Sequence, residues 1–268
     1  MTGRLWPPDL ADRLAGMDSV IALHAAVESA GSLDLVIYHR GPVSPGTDHA
    51  ICSALLDRYS AEPLPGGGAA QPRLRTATQP APLEWAYRDL DRLHQLARRT
   101  AAGHHRFELD PGKVRLQPDF QPLADLAHGR ILADPSGELT LLQHRLRRYP
   151  RPLADGLVVR LWQTSLLIED TRRAADHADT VGVAGGLTRI IDLTAHALHG
   201  HARRWPPDPV KLLAATQRLD CAPPDFSQTT QHLLTCLGSQ PRQLHNVVDA
   251  TSQLVRVVAA TCRPRHPD

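Results

Sequence analysis

The chain has 268 residues, 42% of them hydrophobic and 22% charged, with a net charge of +2 and a pI near 8.5. That apolar share supports a packed core and argues against wholesale disorder, and the near-balanced charge gives no sign of a basic face for nucleic acid. No apolar run approaches the roughly 20 residues that span a bilayer, and MTGRLWPPDLADRL has no basic-then-apolar leader pattern, so a cytoplasmic protein with neither nucleic-acid nor membrane partner is expected.

The length suggests one large or two modest domains, at about 100–200 residues each. Of the 30 Lys and Arg residues only Lys113 and Lys211 are lysine, which reads as the codon bias of a GC-rich genome. Cys52, Cys221, Cys236 and Cys262 form no C-x-x-C pair, so reduced and mostly buried thiols are expected.

In chain order, Leu10 to Ile21 predicts a short helix, with Asp9 as its N-cap, running into a second apolar segment. Leu33 to Tyr38 is an apolar run bounded by Gly31-Ser32 and Arg40-Gly41-Pro42, which predicts a buried strand. Asp48 to Tyr59 predicts a helix, with Ile51, Leu55 and Leu56 on one face, and residues 62–73 predict a Pro/Gly loop. Pro82 to Tyr87 predicts a short strand and Asp89 to Thr100 a helix. Phe107 to Leu116 predicts a hairpin turning at Asp110-Pro111-Gly112. Leu123 to Gly129 and Ile131-Leu132 complete the first half.

From there the text is helical, with helices predicted at about 137–148, 152–177, 181–203, 209–219, 226–237 and 241–262. The expected architecture is therefore α+β: a small α/β domain over residues 1–150 and an α-helical bundle over 151–268.

Asp34 is the first residue that points to chemistry. A carboxylate inside an apolar strand costs several kcal/mol if unpaired. It caps a neighbouring loop, faces a cleft or binds a cation. Glu84 sits similarly, in Leu83-Glu84-Trp85. Two acids on two short strands would suit one magnesium ion, which takes oxygen ligands and keeps several waters.

Other groups carry less. Gly66-Gly67-Gly68 lacks a following Gly-Lys-Ser/Thr and reads as a flexible loop. His196 and His199 lie at i, i+3 with Asp192 one turn upstream. That spacing can suit a metal, but surface or cleft-lining histidines are the favoured reading. Arg88 would contact phosphate or pair with Asp91 at i, i+3.

The stretch from Leu83 to Arg92 (LEWAYRDLDR) resembles a segment of bacterial nucleotidyltransferases of the kanamycin and other antibiotic-modifying kind. Gly129 to Leu139 followed by Arg148-Tyr149-Pro150, and Ala197 to Trp205, are similar to further parts of that family, so the resemblance runs over about residues 20–260. It implies a mixed-sheet nucleotidyltransferase-like domain followed by a helical domain. The implied activity moves a nucleoside monophosphate from a nucleoside triphosphate to a small hydroxylated acceptor, with magnesium held by acids.

Under that resemblance Asp34 and Glu84 are the catalytic metal ligands, Ser32 and Arg88 contribute to nucleotide binding, and Lys211 faces the nucleotide cleft. The sequence departs from the family pattern at three places. Ala25-Ala26 stand where a phosphate-gripping Gly-Ser is expected, and Ser32 stands where the first acid of an Asp-x-Asp pair belongs. Glu84 replaces the usual third Asp. Two carboxylates suit one ion better than two. The alternative is thus a degenerate or repurposed member that binds a small molecule, nucleotide or protein without the transfer.

Overall fold

The computed structural model describes residues 8–25, 33–59, 61–63, 73–76, 83–108 and 115–263. Helix α1 (Pro8–Ala15) leads into strand β1 (Val20–Ala25), followed by β2 (Leu33–His39), α2 (Pro45–Tyr59), β3 (Ala61–Pro63), β4 (Arg73–Thr76), β5 (Leu83–Asp89) and α3 (Leu90–Ala101). Then come β6 (Phe107–Glu108), β7 (Gln117–Pro118), α4 (Gln121–His128), β8 (Arg130–Ala133) and α5 (Glu138–Leu146). Helices α6 (Arg151–Val159), α7 (Leu161–Asp176), α8 (Thr180–Ala202), α9 (Leu212–Thr216), α10 (Phe226–Thr235) and α11 (Pro241–Thr261) complete the chain, with a 3-10 turn at Pro209–Lys211 before α9.

The architecture is α+β, and the chain forms two compact units. One comprises Met1–Arg98 with Pro122–Arg148, the other Arg99–Gln121 with Tyr149–Asp268. The first half of the sequence therefore lends Arg99–Gln121, including β6 and β7, to the second unit.

In the first unit a six-stranded mixed sheet runs β3-β4-β5-β2-β1-β8. Only the β2–β5 pair is parallel. Parallel neighbours need a crossover, which α2, β3 and β4 supply. Strand alternation sorts the sheet into two faces. Leu23, Ala25, Leu35, Ile37 and Trp85 pack against Leu10 and Leu14 of α1 and Ile51 and Leu55 of α2. On the other face Ala22, His24, Val36 and Tyr38 are buried as well. An ion pair from β5 to α4 places α4 on that side.

Several sequence expectations need correction. Asp9 does not cap α1 but lies in its first turn after Pro8, where proline's fixed φ fits and a carboxylate favours the helix dipole. The second apolar segment, after α1, is strand β1. The single helix predicted at 152–177 is two, meeting at Arg160. Its guanidinium donates from Nε to His105 Nε2 (2.9 Å) and from a terminal nitrogen to the His105 carbonyl (3.0 Å), and lies 5.7 Å from the Phe107 ring centre. The helix predicted at 209–219 is a 3-10 turn followed by five α-helical residues. β6 and β7 pair antiparallel as the predicted hairpin requires, and its Asp110-Pro111-Gly112 turn lies outside the described residues. So does most of the predicted 62–73 loop, including Gly66-Gly67-Gly68. All four cysteines are free, but only Cys262 is buried, and Cys236 is exposed.

The second unit is built around α8. Ile168 and Ala175 of α7 pack with Val183, Leu187 and Ile190 of α8 and with Leu244, Val248 and Val255 of α11. Gly186 is required at the α7–α8 approach, because a Cβ there would fall on the Thr171 side chain. Asp179 caps α8 by accepting from the Gly182 N–H at 2.9 Å.

Candidate functional site

The antiparallel β1–β2 pair brings Ala25 opposite Leu35, so the end of β1 and the start of β2 lie at one end of the sheet. The connection at residues 26–32, which includes Ser32 and the second position of the expected Gly-Ser, lies outside the described residues. β5 runs alongside β2 in register from Leu33↔Leu83 to His39↔Asp89, which makes Asp34 and Glu84 direct register partners. Alternation places Asp34, Val36 and Tyr38 on one face with Glu84, Ala86 and Arg88. On the far side of β5, Glu84 is also the register partner of Arg73 in β4. The sequence offered no cue to that arginine, because its strand emerges from a region read as loop.

Further along this face the polar groups are engaged within the unit. Arg88 donates to Asp125 on α4 at 2.8 Å and to the Pro122 carbonyl at 3.4 Å. Its partner is thus Asp125 rather than Asp91, which pairs with Arg40 at 3.0 Å. Burial opposes the charge on Arg88, but Asp125 and the Tyr38 hydroxyl more than offset it and hold the guanidinium above its ordinary value. His24 on β1 shares the face. It is fully buried, its ring lies 6.4 Å from that of Tyr38, and neither ring nitrogen has a hydrogen-bond partner among the described residues. Burial first and Arg88 second lower its pKa to about 4, so the ring is neutral at pH 7. Gly129 packs against it, and a Cβ there would fall on the His24 ring and the Ala25 carbonyl.

In the second unit, Lys211 closes the 3-10 turn and is half-buried. His196 and His199 are both buried in α8 rather than on the surface. Asp192 is not free to complete a metal set. It accepts from Nε of Arg115 at 3.1 Å, from a terminal nitrogen of the same guanidinium, and from the Leu116 N–H at 3.3 Å. Burial raises its pKa, although Arg115 pulls the other way. Among the described residues no group of three or more His, Cys, Asp or Glu is arranged to hold a metal, and no helix is long and apolar enough to cross a membrane.

A family profile described as a domain of unknown function, DUF4037, matches residues 116–210. That span begins just before β7 and leaves β1–β5 outside. No curated protein matches the sequence. Among solved structures the chain is similar to a nucleotidyltransferase-like protein from Exiguobacterium sibiricum, at 13% identity over 92% of this chain and 72% of that one, with a TM-score of 0.45.

Proposed function

We propose that the end of the sheet carrying Asp34 and Glu84 binds a nucleoside triphosphate with magnesium and transfers its nucleoside monophosphate to a hydroxyl of a small acceptor. The observation that carries this reading is the register pairing of the two acids on adjacent parallel strands. The sequence resemblance to antibiotic nucleotidyltransferases supplies the reaction class.

Asp34 and Glu84 would hold the ion, and Ser32 would add an uncharged oxygen. Magnesium, when bound, neutralises phosphate charge and orients the triphosphate. In the transfer the acceptor oxygen bonds the α-phosphorus, the bond to pyrophosphate breaks, and the acceptor proton passes to solvent. Arg88 serves the site from further along the same strand: its bonds to Asp125 and Pro122 fix β5 against α4, and with it the strand position of Glu84.

A second reading keeps the binding and drops the transfer. Its specific support is Ser32 in place of an acid and Ala25-Ala26 in place of Gly-Ser, which removes one metal charge and a set of phosphate donors. One experiment separates the two. The protein is incubated with magnesium, each of the four nucleoside triphosphates and a panel of aminoglycosides and simple polyols, while pyrophosphate release and nucleotide binding are measured. Release that Asp34→Asn abolishes supports transfer. Binding without release supports the second reading, and neither binding nor release rejects both.

A further inference from the structure

Arg160 stands where α6 gives way to α7, as the C-cap of one helix and the N-cap of the other. All three of its guanidinium nitrogens are engaged. Nε donates to His105 Nε2 at 2.9 Å, one terminal nitrogen donates to the His105 carbonyl at 3.0 Å, and the other donates to Gln163 Oε1 at 3.2 Å. Arg160 thus grips residue 105 by ring and backbone, and ties the α6–α7 joint to the segment Gly103–Phe107.

This contact fixes a tautomer. A guanidinium stays protonated and can only donate, so His105 Nε2 presents its lone pair to Arg160. His105 Nδ1 lies 2.9 Å from the Gly103 carbonyl oxygen, which can only accept, so Nδ1 carries the hydrogen. Both ring nitrogens are then committed in the neutral form. A second proton has only Nε2 to bind, where it would oppose the Arg160 N–H and bring two cations together. The half-buried ring has little room to turn away. A Cβ at Gly156 on α6 would fall 2.8 Å from His105 Cε1, and the Phe107 and Phe120 rings lie 6.0 and 6.4 Å away, centre to centre.

We propose that His105 and Arg160 form a proton-released latch, which holds the α6–α7 joint to the Gly103–Phe107 segment while His105 is neutral and lets go when it is protonated. Burial opposes the charge on His105 most; the Gly103 carbonyl favours it, Arg160 opposes it and Asp119 favours it, and the balance lies below the ordinary 6.5. Asp119, just after β7, is also held by the Arg106 N–H at 3.0 Å and by Arg99 at 3.7 Å. From α8, His196 lies against Phe107 with its ring 5.0 Å away and is kept neutral by burial, while Arg115 near it is paired with Asp192. The open form binds the proton first. The latch is therefore complete above pH 6.5 and is lost as pH falls through the folded value.

The test combines nitrogen NMR of the imidazole with amide hydrogen exchange on the full chain. At neutral pH His105 should show the Nδ1–H tautomer. Across the pH range in which His105 titrates, protection of the amides of residues 156–163, corrected for the intrinsic rate, should fall about tenfold or more. Amides of Val248 to Val258 in α11 should keep theirs. His105→Gln, whose side-chain carbonyl can accept from Arg160 but takes no proton, should hold its protection over the same range. Should that variant fail to fold, Arg160→Met decides: His105 should then titrate closer to 6.5 than in the wild type. An Nε2–H tautomer, wild-type protection that does not change as His105 titrates, the same fall in His105→Gln, or an unchanged His105 titration in Arg160→Met overturns the latch.

Discussion

Each unit buries one arginine–aspartate pair beside a histidine whose ring nitrogens lack partners among the described residues. In the first unit Arg88 meets Asp125 beside His24, and in the second Arg115 meets Asp192 with His196 one turn along α8. The pairs differ in depth: the Asp125 side chain keeps 20% of its surface exposed, the Asp192 side chain 1%. Desolvation therefore dominates at Asp192, whose pKa rises in spite of Arg115. The shallower pair ties β5 to α4 on the face that also carries Glu84, so it bears on the candidate site. The deeper pair ties the segment before β7 to the middle of α8 and bears on the second unit alone. A buried ion pair adds little net stability, yet losing one partner is costly, and depth sets how costly.

That comparison breaks most directly at Arg115. Arg115→Ala strands a carboxylate with almost no water contact, and should cost about 3–5 kcal/mol of unfolding free energy. Arg88→Ala should cost less, because Asp125 can take up water. Chemical denaturation of the two variants measures the difference; equal losses would mean that depth does not govern these pairs.

The next effect tests the packing around His24. Gly129→Ala drives a methyl into the imidazole and the Ala25 carbonyl, and should cost about 1–3 kcal/mol, in the range of overpacked sites. Part of that loss should return when His24→Ala is added, and melting temperatures of the two variants show whether it does.

Acid then probes both histidines. Their folded pKa values lie near 4 for His24 and near 3 for His196, below the ordinary 6.5, with burial the first cause in each. The unfolded chain binds these protons first, so the contribution of each ring is complete above pH 6.5. It is lost as pH falls toward the folded value. For His24 the full loss is on the order of 3 kcal/mol. Asp192 runs in the opposite sense, since protonating it in the folded state relieves its burial. Single substitutions isolate the terms: His24→Leu should flatten the stability profile between pH 6.5 and 4 relative to wild type, and identical slopes would contradict the assignment. The smallest effect is expected at Arg40, an exposed residue that bonds Asp91 at 3.0 Å and Glu138 at 2.6 and 2.8 Å. Arg40→Ala should leave stability almost unchanged, and the small effect should shrink further in high salt.

Local signals in the sequence located elements better than partners. The Leu33–Tyr38 run and the three/four spacing of Leu244, Val247, Val248 and Thr251 marked β2 and α11, because periodicity records which side of an element is buried. The division at Arg160 was not legible. No proline or glycine marks it, and the residues that bind Arg160, His105 and Phe107, lie more than fifty positions earlier. The burial of His196 was equally hidden, since a histidine looks the same on a core face as on a wet one. Asp34 and Glu84 were each visible as acids in apolar strands, but their pairing is a register fact between strands separated by a helix and two other strands. Arg73 gave no local signal, because its four-residue strand follows a Pro/Gly stretch whose composition reads as loop.

Whether Asp34 and Glu84 act on one ion, as proposed, is tested most directly by a double-mutant cycle. Manganese affinity is measured for wild type, Asp34→Asn, Glu84→Gln and the double variant. Each single change should weaken binding at least tenfold, and the double should be little worse than the weaker single, since residues sharing one ligand are not additive. Effects that add independently, or single variants that bind as wild type does, would contradict a shared site.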